Sequence, residues 1–498
     1  MGTLSELLPS GGNQNEVEFV ASGTLPNGKP VILKTNGQVE AVVQTTLSES
    51  IPAAAEVTFN STGETGYIRA KFDPAGSGKF VVAYRDEDNS GKGALCVGSV
   101  TGTSISFGTE VIFNSGSTFY IDLAFDPSTS NNFVITYVDN SAGNLGTAVV
   151  CVLSGTTASV GSEVVFHNDG TGQTSVSFVP ATANKFVVAY KDTGGGNYGR
   201  VVTGTVSGTS SSFTSEATFY SGLVYEPRLS FDPSTADSFV IGFGKDSNPK
   251  MSAIVGDSSG ASCTFGTVLV INSGNNSGTY PNLAFNPSIA NQCVIVYAPG
   301  PQGEVGTAII GTVSGSSISV GSPVVFNNAI SLWFGIDIDP STGKVAICYR
   351  DSGASNSGKV IIGTISGSSL SFGTEFEFES ETVQYNDLSF DSGNAGKFVI
   401  VYADGSPQLG TARLGQLAAT TTNLTSTNFI GITAEAIASG ASGDIALKGG
   451  ISTNQTSLTI GSDYYVQADG TVSTVTTSPA VKAGTAISAT TLNLMDQL

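Results

Sequence analysis

Phe72-Asp73-Pro74, followed at once by the apolar run Phe80-Val-Val-Ala-Tyr84, is the stretch from which the rest of the chain can be read. The tripeptide returns as Phe125-Asp126-Pro127, Phe178-Val179-Pro180, Phe231-Asp232-Pro233, Phe285-Asn286-Pro287, Ile338-Asp339-Pro340 and, degenerate, Phe390-Asp391-Ser392. The spacings are 53, 53, 53, 54, 53 and 52 residues. Seven units at so regular a period mark a repeat architecture, and the contents of one unit say which.

Each unit reads as four short strands. The first ends at the Phe-Asp-Pro, as in Asn282-Leu-Ala-Phe285, and a turn follows in which Pro presets φ and Asp bonds the local backbone. The second is β-branched and aromatic: Phe133-Val-Ile-Thr-Tyr137, Phe186-Val-Val-Ala-Tyr190, Cys293-Val-Ile-Val-Tyr297, Phe398-Val-Ile-Val-Tyr402. A variable polar loop leads to a third, such as Gly306-Thr-Ala-Ile-Ile-Gly-Thr-Val313, and a Ser-Gly turn leads to a fourth, such as Glu110-Val-Ile-Phe-Asn114. No helical period occurs, so helical solenoids fail and radially arranged four-stranded blades fit.

The ends of the repeat region supply a check. The seventh unit lacks its fourth-strand motif, which stands instead before the first unit as Glu56-Val-Thr-Phe-Asn60. Exchange of that strand would close the ring and hide the edge of an open sheet. The expected fold is therefore all-β: a seven-bladed β-propeller over residues 51–417, with small β modules at 1–50 and 418–498. The first module holds Val17-Glu-Phe-Val-Ala21, Lys29-Pro-Val-Ile-Leu-Lys34 and Gln38-Val-Glu-Ala-Val42. The second holds Asn428-Phe-Ile-Gly-Ile432, Ser457-Leu-Thr-Ile-Gly461, Asp463-Tyr-Tyr-Val-Gln467, Ala468-Asp-Gly-Thr-Val472, Ala483-Gly-Thr-Ala-Ile-Ser488 and Leu492-Asn-Leu494. Strand exchange brings both ends of the propeller to one blade, so the two modules are expected side by side.

Composition narrows function. The 498 residues include 62 Gly, 20 Lys plus Arg, 40 Asp plus Glu and one His, for a net charge of -20. Such a balance disfavours a nucleic-acid partner. With His167 as the only imidazole, a His pair, a Ser-His-Asp triad and a multi-His metal site are not expected. No apolar run of 18 residues exists and the N-terminus lacks a signal-peptide pattern, so neither membrane insertion nor secretion by that route is expected. Cys96, Cys151, Cys263, Cys293 and Cys348 are odd in number and embedded in apolar runs, which reads as buried free thiols.

At the two ends a resemblance emerges. Asn428-Phe-Ile-Gly-Ile-Thr-Ala-Glu-Ala-Ile437, Ser457-Leu-Thr-Ile-Gly461, Tyr464-Tyr-Val-Gln-Ala-Asp-Gly470 and Ala483-Gly-Thr-Ala-Ile-Ser488 resemble a terminal module of virion proteins of tailed bacteriophages, especially those of aquatic bacteria and cyanobacteria. Phe19-Val-Ala-Ser-Gly-Thr-Leu-Pro-Asn-Gly-Lys-Pro-Val31 is similar to its usual N-terminal companion. The resemblance implies a structural or host-attachment protein of a phage particle, such as a tail fibre: often a homo-oligomer, with other virion proteins as partners and assembly in the host cytoplasm.

Candidate chemistry lies where the repeats vary. The loops entering each blade carry Tyr67, Tyr120, Tyr225, Tyr280, Trp333 and Tyr385, and those between second and third strands carry Asp139-Asn140, Asn197-Tyr198 and Asp351. Both loop sets fall on one face of a propeller. Aromatic faces beside Asp and Asn acceptors suit sugar stacking and hydroxyl bonding, so a host-surface glycan is the expected ligand. The competing reading is that these rings begin the inner strands and fill the core. No catalytic residue, metal or cofactor is expected: the sialidase box is absent, the turn Asp is replaced by Val179 and Asn286, and Asp86, Asp88 and Ser90 make only part of a calcium loop. A decoration protein without receptor role, and a glycosidase using paired carboxylates, are the alternatives.

Overall fold

Val57–Asn60, the displaced strand, pairs with Leu409–Gln416 through Gly410↔Asn60, Thr411↔Thr58 and Ala412↔Val57, and so completes the last blade from the beginning of the chain. The computed structural model describes residues 15–50, 56–129, 131–247, 250–272, 281–299, 304–477 and 479–494. Among these, seven four-stranded antiparallel sheets follow one another from residue 57 to residue 416. Blade 1 is Thr65–Phe72, Lys79–Asp86, Lys92–Thr101 and an outer strand in two pieces, Ser104–Phe107 and Val111–Asn114. Thr157–Phe178 runs unbroken from the outer strand of blade 2 into the inner strand of blade 3, and Val324–Ile338 does the same between blades 5 and 6.

Seven apolar cores lie between neighbouring blades, the last joining blade 7 (Val399, Val401, Ala412) to blade 1 (Ile68, Val82, Cys96), so the ring is closed by packing as well as by pairing. The all-β propeller read from the repeat is the observed fold. All five cysteines are buried and free. Among the described residues no helix is long and apolar enough to cross a membrane.

The repeat motifs each have a structural cause. Asp73, Asp126, Asp232, Asp339 and Asp391 accept a bond from the backbone N–H two residues on, and Asn286 does the same, which explains why that position needs an oxygen acceptor and not a charge. Val179, with no acceptor, is the exception. Tyr84, Tyr349 and Tyr402 of the second strands donate across the third strand to Glu110, Glu375 and Glu56 of the outer strands. In blade 4 the corresponding pair is the apolar Phe243 and Val268, both members changed together.

Many glycines that composition assigns to turns lie instead inside third strands. Gly98 faces Phe80 on one side and Phe107 on the other, Gly204 faces Phe186 and Phe213, and Gly256 faces Phe239 and Phe265. A side chain at any of these glycines would collide with the Phe ring of the second strand. A second series, Gly93, Gly146, Gly199, Gly306, Gly358 and Gly410, lies under outer-strand rings from Phe113 to Phe59. The first half of each outer strand, such as Ser104–Phe107, escaped the repeat reading because its Ser-x-Ser alternation resembles a turn.

The other unit comprises residues up to 48 and from 418 onward, the propeller unit running from 49 to 417. It holds two five-stranded sheets. In one, Glu16–Val20 pairs with Ser442–Leu447, and Pro30–Leu33 pairs with Phe429–Thr433, so chain beginning and chain end share a sheet. The other gathers Ile451–Ser452, Asp463–Val466, Val472–Ser473, Val481–Ala486 and Leu492–Leu494. Ile32, Phe429 and Ile432 of the first pack against Val466, Val481 and Leu494 of the second. Ser457–Gly461 is not a strand: Leu458 N–H bonds Ala489 O and Gly461 N–H bonds Ala486 O, an irregular pattern closed by the Tyr464 hydroxyl on Thr459 N–H. Ser442–Leu447, by contrast, is a strand that the sequence reading did not pick out.

Candidate functional site

Six of the seven inner strands carry the same irregularity among the described residues. The register with the second strand slips between Gly66 and Arg69, Phe119 and Asp122, Gly172 and Ser175, Tyr225 and Arg228, Leu332 and Gly335, and Gln384 and Asp387. Within each slip one residue takes a left-handed backbone: Tyr67, Tyr120, Gln173, Glu226, Trp333 and Tyr385, with φ between 46° and 57°. Bulky residues enter that region at a cost of about 1–3 kcal/mol each, and a β-bulge is a device for re-aiming a side chain. All six re-aimed side chains line one cavity of about 250 Å³ on the axis of the ring.

The aromatic members touch in series. Trp333 lies tilted against Tyr385 at 4.6 Å between centroids, Tyr385 tilted against Tyr67 at 5.2 Å, and Tyr67 meets Tyr120 edge-on at 5.3 Å. Burial, with the neighbouring Tyr120 and Tyr385, pushes the Tyr67 hydroxyl above its ordinary range. Tyr120 is the most open of the four at 37% exposure. Gln173 and Glu226 complete the described part of the ring, joined by Glu226 N–H donating to Gln173 Oε1 at 3.1 Å.

Two residues further along each strand a polar layer follows, made of Arg69, Asp122, Ser175, Arg228, Asn282 and Asp387, with Gly335 in blade 6. Its side chains bond the otherwise open edge of the neighbouring inner strand. Asp122 accepts from Val176 N–H at 2.9 Å, Ser175 from Leu229 N–H at 3.1 Å and Asp387 from Ala70 N–H at 3.0 Å, while Asn282 donates to Phe334 O at 2.9 Å. Deeper still, Asp337 accepts from Phe390 N–H and Ser389 from Phe72 N–H. A second cavity of about 400 Å³ opens beyond this layer, toward a ring of turn prolines from Pro74 to Pro340.

Of the residues singled out in the sequence, Tyr67, Tyr120, Trp333 and Tyr385 are brought together. Tyr225 is not: the bulge falls one residue later, so Glu226 takes the axial place and the Tyr225 ring lies under Lys191 Nζ at 4.7 Å. Tyr280 lies outside the described residues. The second-to-third loops do share this face, since in five blades they bond the loop entering the same blade, as Asn140 N–H does to Ser117 O. Their side chains, however, do not line the cavity. Asp139 accepts from Ser141 and Ala142 N–H, Asp351 caps the short helix Ser352–Ala354, and Asn197 holds a left-handed turn at φ 63°, so these three shape loops, while Asn140 and Tyr198 project into solvent. Gln173, Glu226, Arg69 and Arg228 were missed. Aligning units on Phe-Asp-Pro would have found them: the ring stands five residues before each Phe, and both arginines three before.

Away from the axis, His167 is buried between two carboxylates, with Nδ1 2.6 Å from Glu216 and Nε2 3.4 Å from Asp192, and Arg200 bridges the same two acids. His167 and Arg200 thus share the same two acids, away from the axial cavity. Glu56, Glu379 and Asp404 bring carboxylate oxygens within 4.8 Å of one another, and the Arg413 guanidinium bonds the first two. Burial, with Glu379 and Glu56, raises Asp404 to about 6.

No protein-family model matches the chain, and no curated protein matches it in sequence. Solved structures match in fold. The BP39L lectin from Burkholderia pseudomallei gives a TM-score of 0.52 at 10% identity, covering 73% of this chain and 98% of the lectin. Sqt1 from Chaetomium thermophilum gives 0.46 at 12% identity over 73% and 85%, and the periplasmic gluconolactonase of Pseudomonas aeruginosa 0.47 at 11% over 66% and 95%. At such identities the likeness is one of fold: this chain is similar to β-propellers.

Proposed function

We propose that the chain is a non-enzymatic adhesin of a tailed-bacteriophage virion, in which the propeller binds a host-surface glycan and the terminal β unit joins other virion proteins. The observation that carries the binding half is the ring of re-aimed side chains. Six inner strands repeat one strained bulge, and its product is an axial cavity rimmed by Trp333, Tyr385, Tyr67 and Tyr120 with Gln173, Glu226 and two arginines behind. Aromatic faces stack on the C–H face of a sugar ring, and amide, carboxyl and guanidinium groups bond its hydroxyls. That a lectin shares the propeller fold agrees with this reading. The virion half rests on the resemblance of the terminal segments.

A glycan array probed with the intact chain tests it. Binding is expected, and Tyr120→Ala and Trp333→Ala each reduce it. An array without binding, together with normal adsorption of particles carrying Trp333→Ala, refutes the receptor role and leaves a decoration protein, which the mutual contact of the rings also suits. Release of reducing ends from host polysaccharide would instead make the chain a depolymerase.

A further inference from the structure

We infer that the axial site takes an anionic saccharide, whose carboxylate or sulfate group reaches Arg228 and Arg69 while its ring occupies the aromatic mouth. The inference rests on the glycan-binding reading above and specifies the ligand. Arg69 and Arg228 line both axial cavities, so they sit at the level where the two meet. Arg69 is engaged, donating to Ile68 O at 2.8 Å and lying 3.7 Å from Asp122. Arg228 forms neither a side-chain hydrogen bond nor an ion pair with any described residue. Arg228 is half-buried and none of its nitrogens is sealed from solvent, so its donors face the water of the cavity, where an anion entering the lumen meets them.

The protein's own carboxylates attract Arg228 without touching it: Asp122, Glu226 and Asp387 all favour its charge, yet none forms an ion pair or hydrogen bond with it among the described residues. Both oxygens of Asp122 are occupied by backbone N–H groups, of Val176 and Leu123, and both of Asp337 by those of Phe390 and Ile338, while Asp387 serves Ala70. These acids are latches between blades. Glu226 lines the same cavity as Arg228 but forms no ion pair with it. Burial raises the Glu226 carboxyl against the pull of Arg228 and Arg69. Two neighbouring guanidinium groups, one of them uncommitted, fit the planar fork of a carboxylate or the oxygens of a sulfate. The aromatic rings lining the same cavity suit an anion carried on a sugar ring.

Calorimetric titration of the intact chain with trigalacturonate, a sulfated galactose trisaccharide and neutral galactotriose tests this. At least one acidic probe is expected to bind about 10-fold or more tightly than galactotriose, and which one separates carboxylate from sulfate. Arg228→Ala should weaken the acidic probe by about 10- to 100-fold, the loss expected for a charge-assisted bond, and leave galactotriose nearly unchanged. Arg228→Lys, which keeps the charge and loses the fork, should fall between and stands in if the alanine variant fails to fold. Glu226→Gln should tighten the acidic probe, whereas Tyr120→Ala should weaken all ligands alike. Galactotriose binding as well as the acids, or indifference of the acidic probe to Arg228, overturns the inference and leaves glycan binding intact. Failure of all three probes overturns it too, and the glycan array then decides the broader reading.

Discussion

Replacing Gly98 by Ala should destabilise the propeller, although backbone considerations alone give the opposite sign. Gly98 lies in an extended third strand with no left-handed torsion, where Ala normally gains about 0.4–1 kcal/mol by restricting the unfolded chain. The added Cβ would come closer than 3.0 Å to three atoms of the Phe80 ring. Phe80 has no exposed surface and is held by Phe72 at 5.2 Å and, edge-on, by Phe107 at 5.6 Å, so the ring has nowhere to move. Overpacking of this kind costs about 1–3 kcal/mol, which leaves a net loss of roughly 1–2 kcal/mol after the entropic gain. Blade 2 shows the remedy. There Cys151 stands between Phe133 and Val160, one ring instead of two, and the central residue has a side chain. Phe107→Val should therefore rescue Gly98→Ala relative to its effect alone, with a coupling of about 1 kcal/mol in a double-mutant cycle read by urea denaturation. A Gly98→Ala chain as stable as the parent, or strict additivity with Phe107→Val, would refute the packing argument.

Other expectations follow from the blade edges. Phe59→Ala removes the ring that covers Gly410 and meets Tyr84 at 5.1 Å, and should cost about 3–5 kcal/mol and make the ring closure the first site of limited proteolysis. Asp404 has a folded value of about 6, above its unfolded one near 4, so its charge opposes folding above pH 6 and the penalty fades as the pH falls through 6 towards 4. Because Asp404 is only half-buried, Asp404→Asn should stabilise by no more than about 1 kcal/mol at pH 8 and by nothing at pH 4, measured as melting temperature against pH. Tyr349→Phe alone removes the hydroxyl donor of Glu375, which keeps only Lys359 at 3.6 Å, and should cost about 1 kcal/mol, whereas Tyr349→Phe with Glu375→Val reproduces the Phe243 and Val268 pair of blade 4 and should recover part of it in thermal melts.

The period of the Phe-Asp-Pro motif and the displaced Glu56–Asn60 segment made the ring and its closure legible, because turn chemistry and strand pairing are local and repeat. The aromatic mouth was half legible. Its members share a column of the repeat, five residues before each Phe, but in blades 3 and 4 that column holds Gln173 and Glu226, and an aromatic pattern points to the adjacent Tyr225 instead. The arginines went unnoticed because blades 1 and 4 are far apart in sequence and meet only across the axis. Glycine misled most: its abundance resembles turn composition, whereas the steric demand of two Phe rings on one backbone is visible only once three strands are aligned.

The entry and exit of the propeller are hydrogen-bonded neighbours: Ser50 N–H donates to Gln416 O at 2.8 Å and Gln416 N–H to Ser50 O at 2.9 Å. The ring is thus attached to the rest of the chain as a cassette whose two leads leave from a single point. Any closed domain with adjacent ends could be exchanged at that point without redesign of the terminal sheets, which are completed by residues from both leads. One propeller could in this way be replaced wholesale by another while the terminal unit is retained.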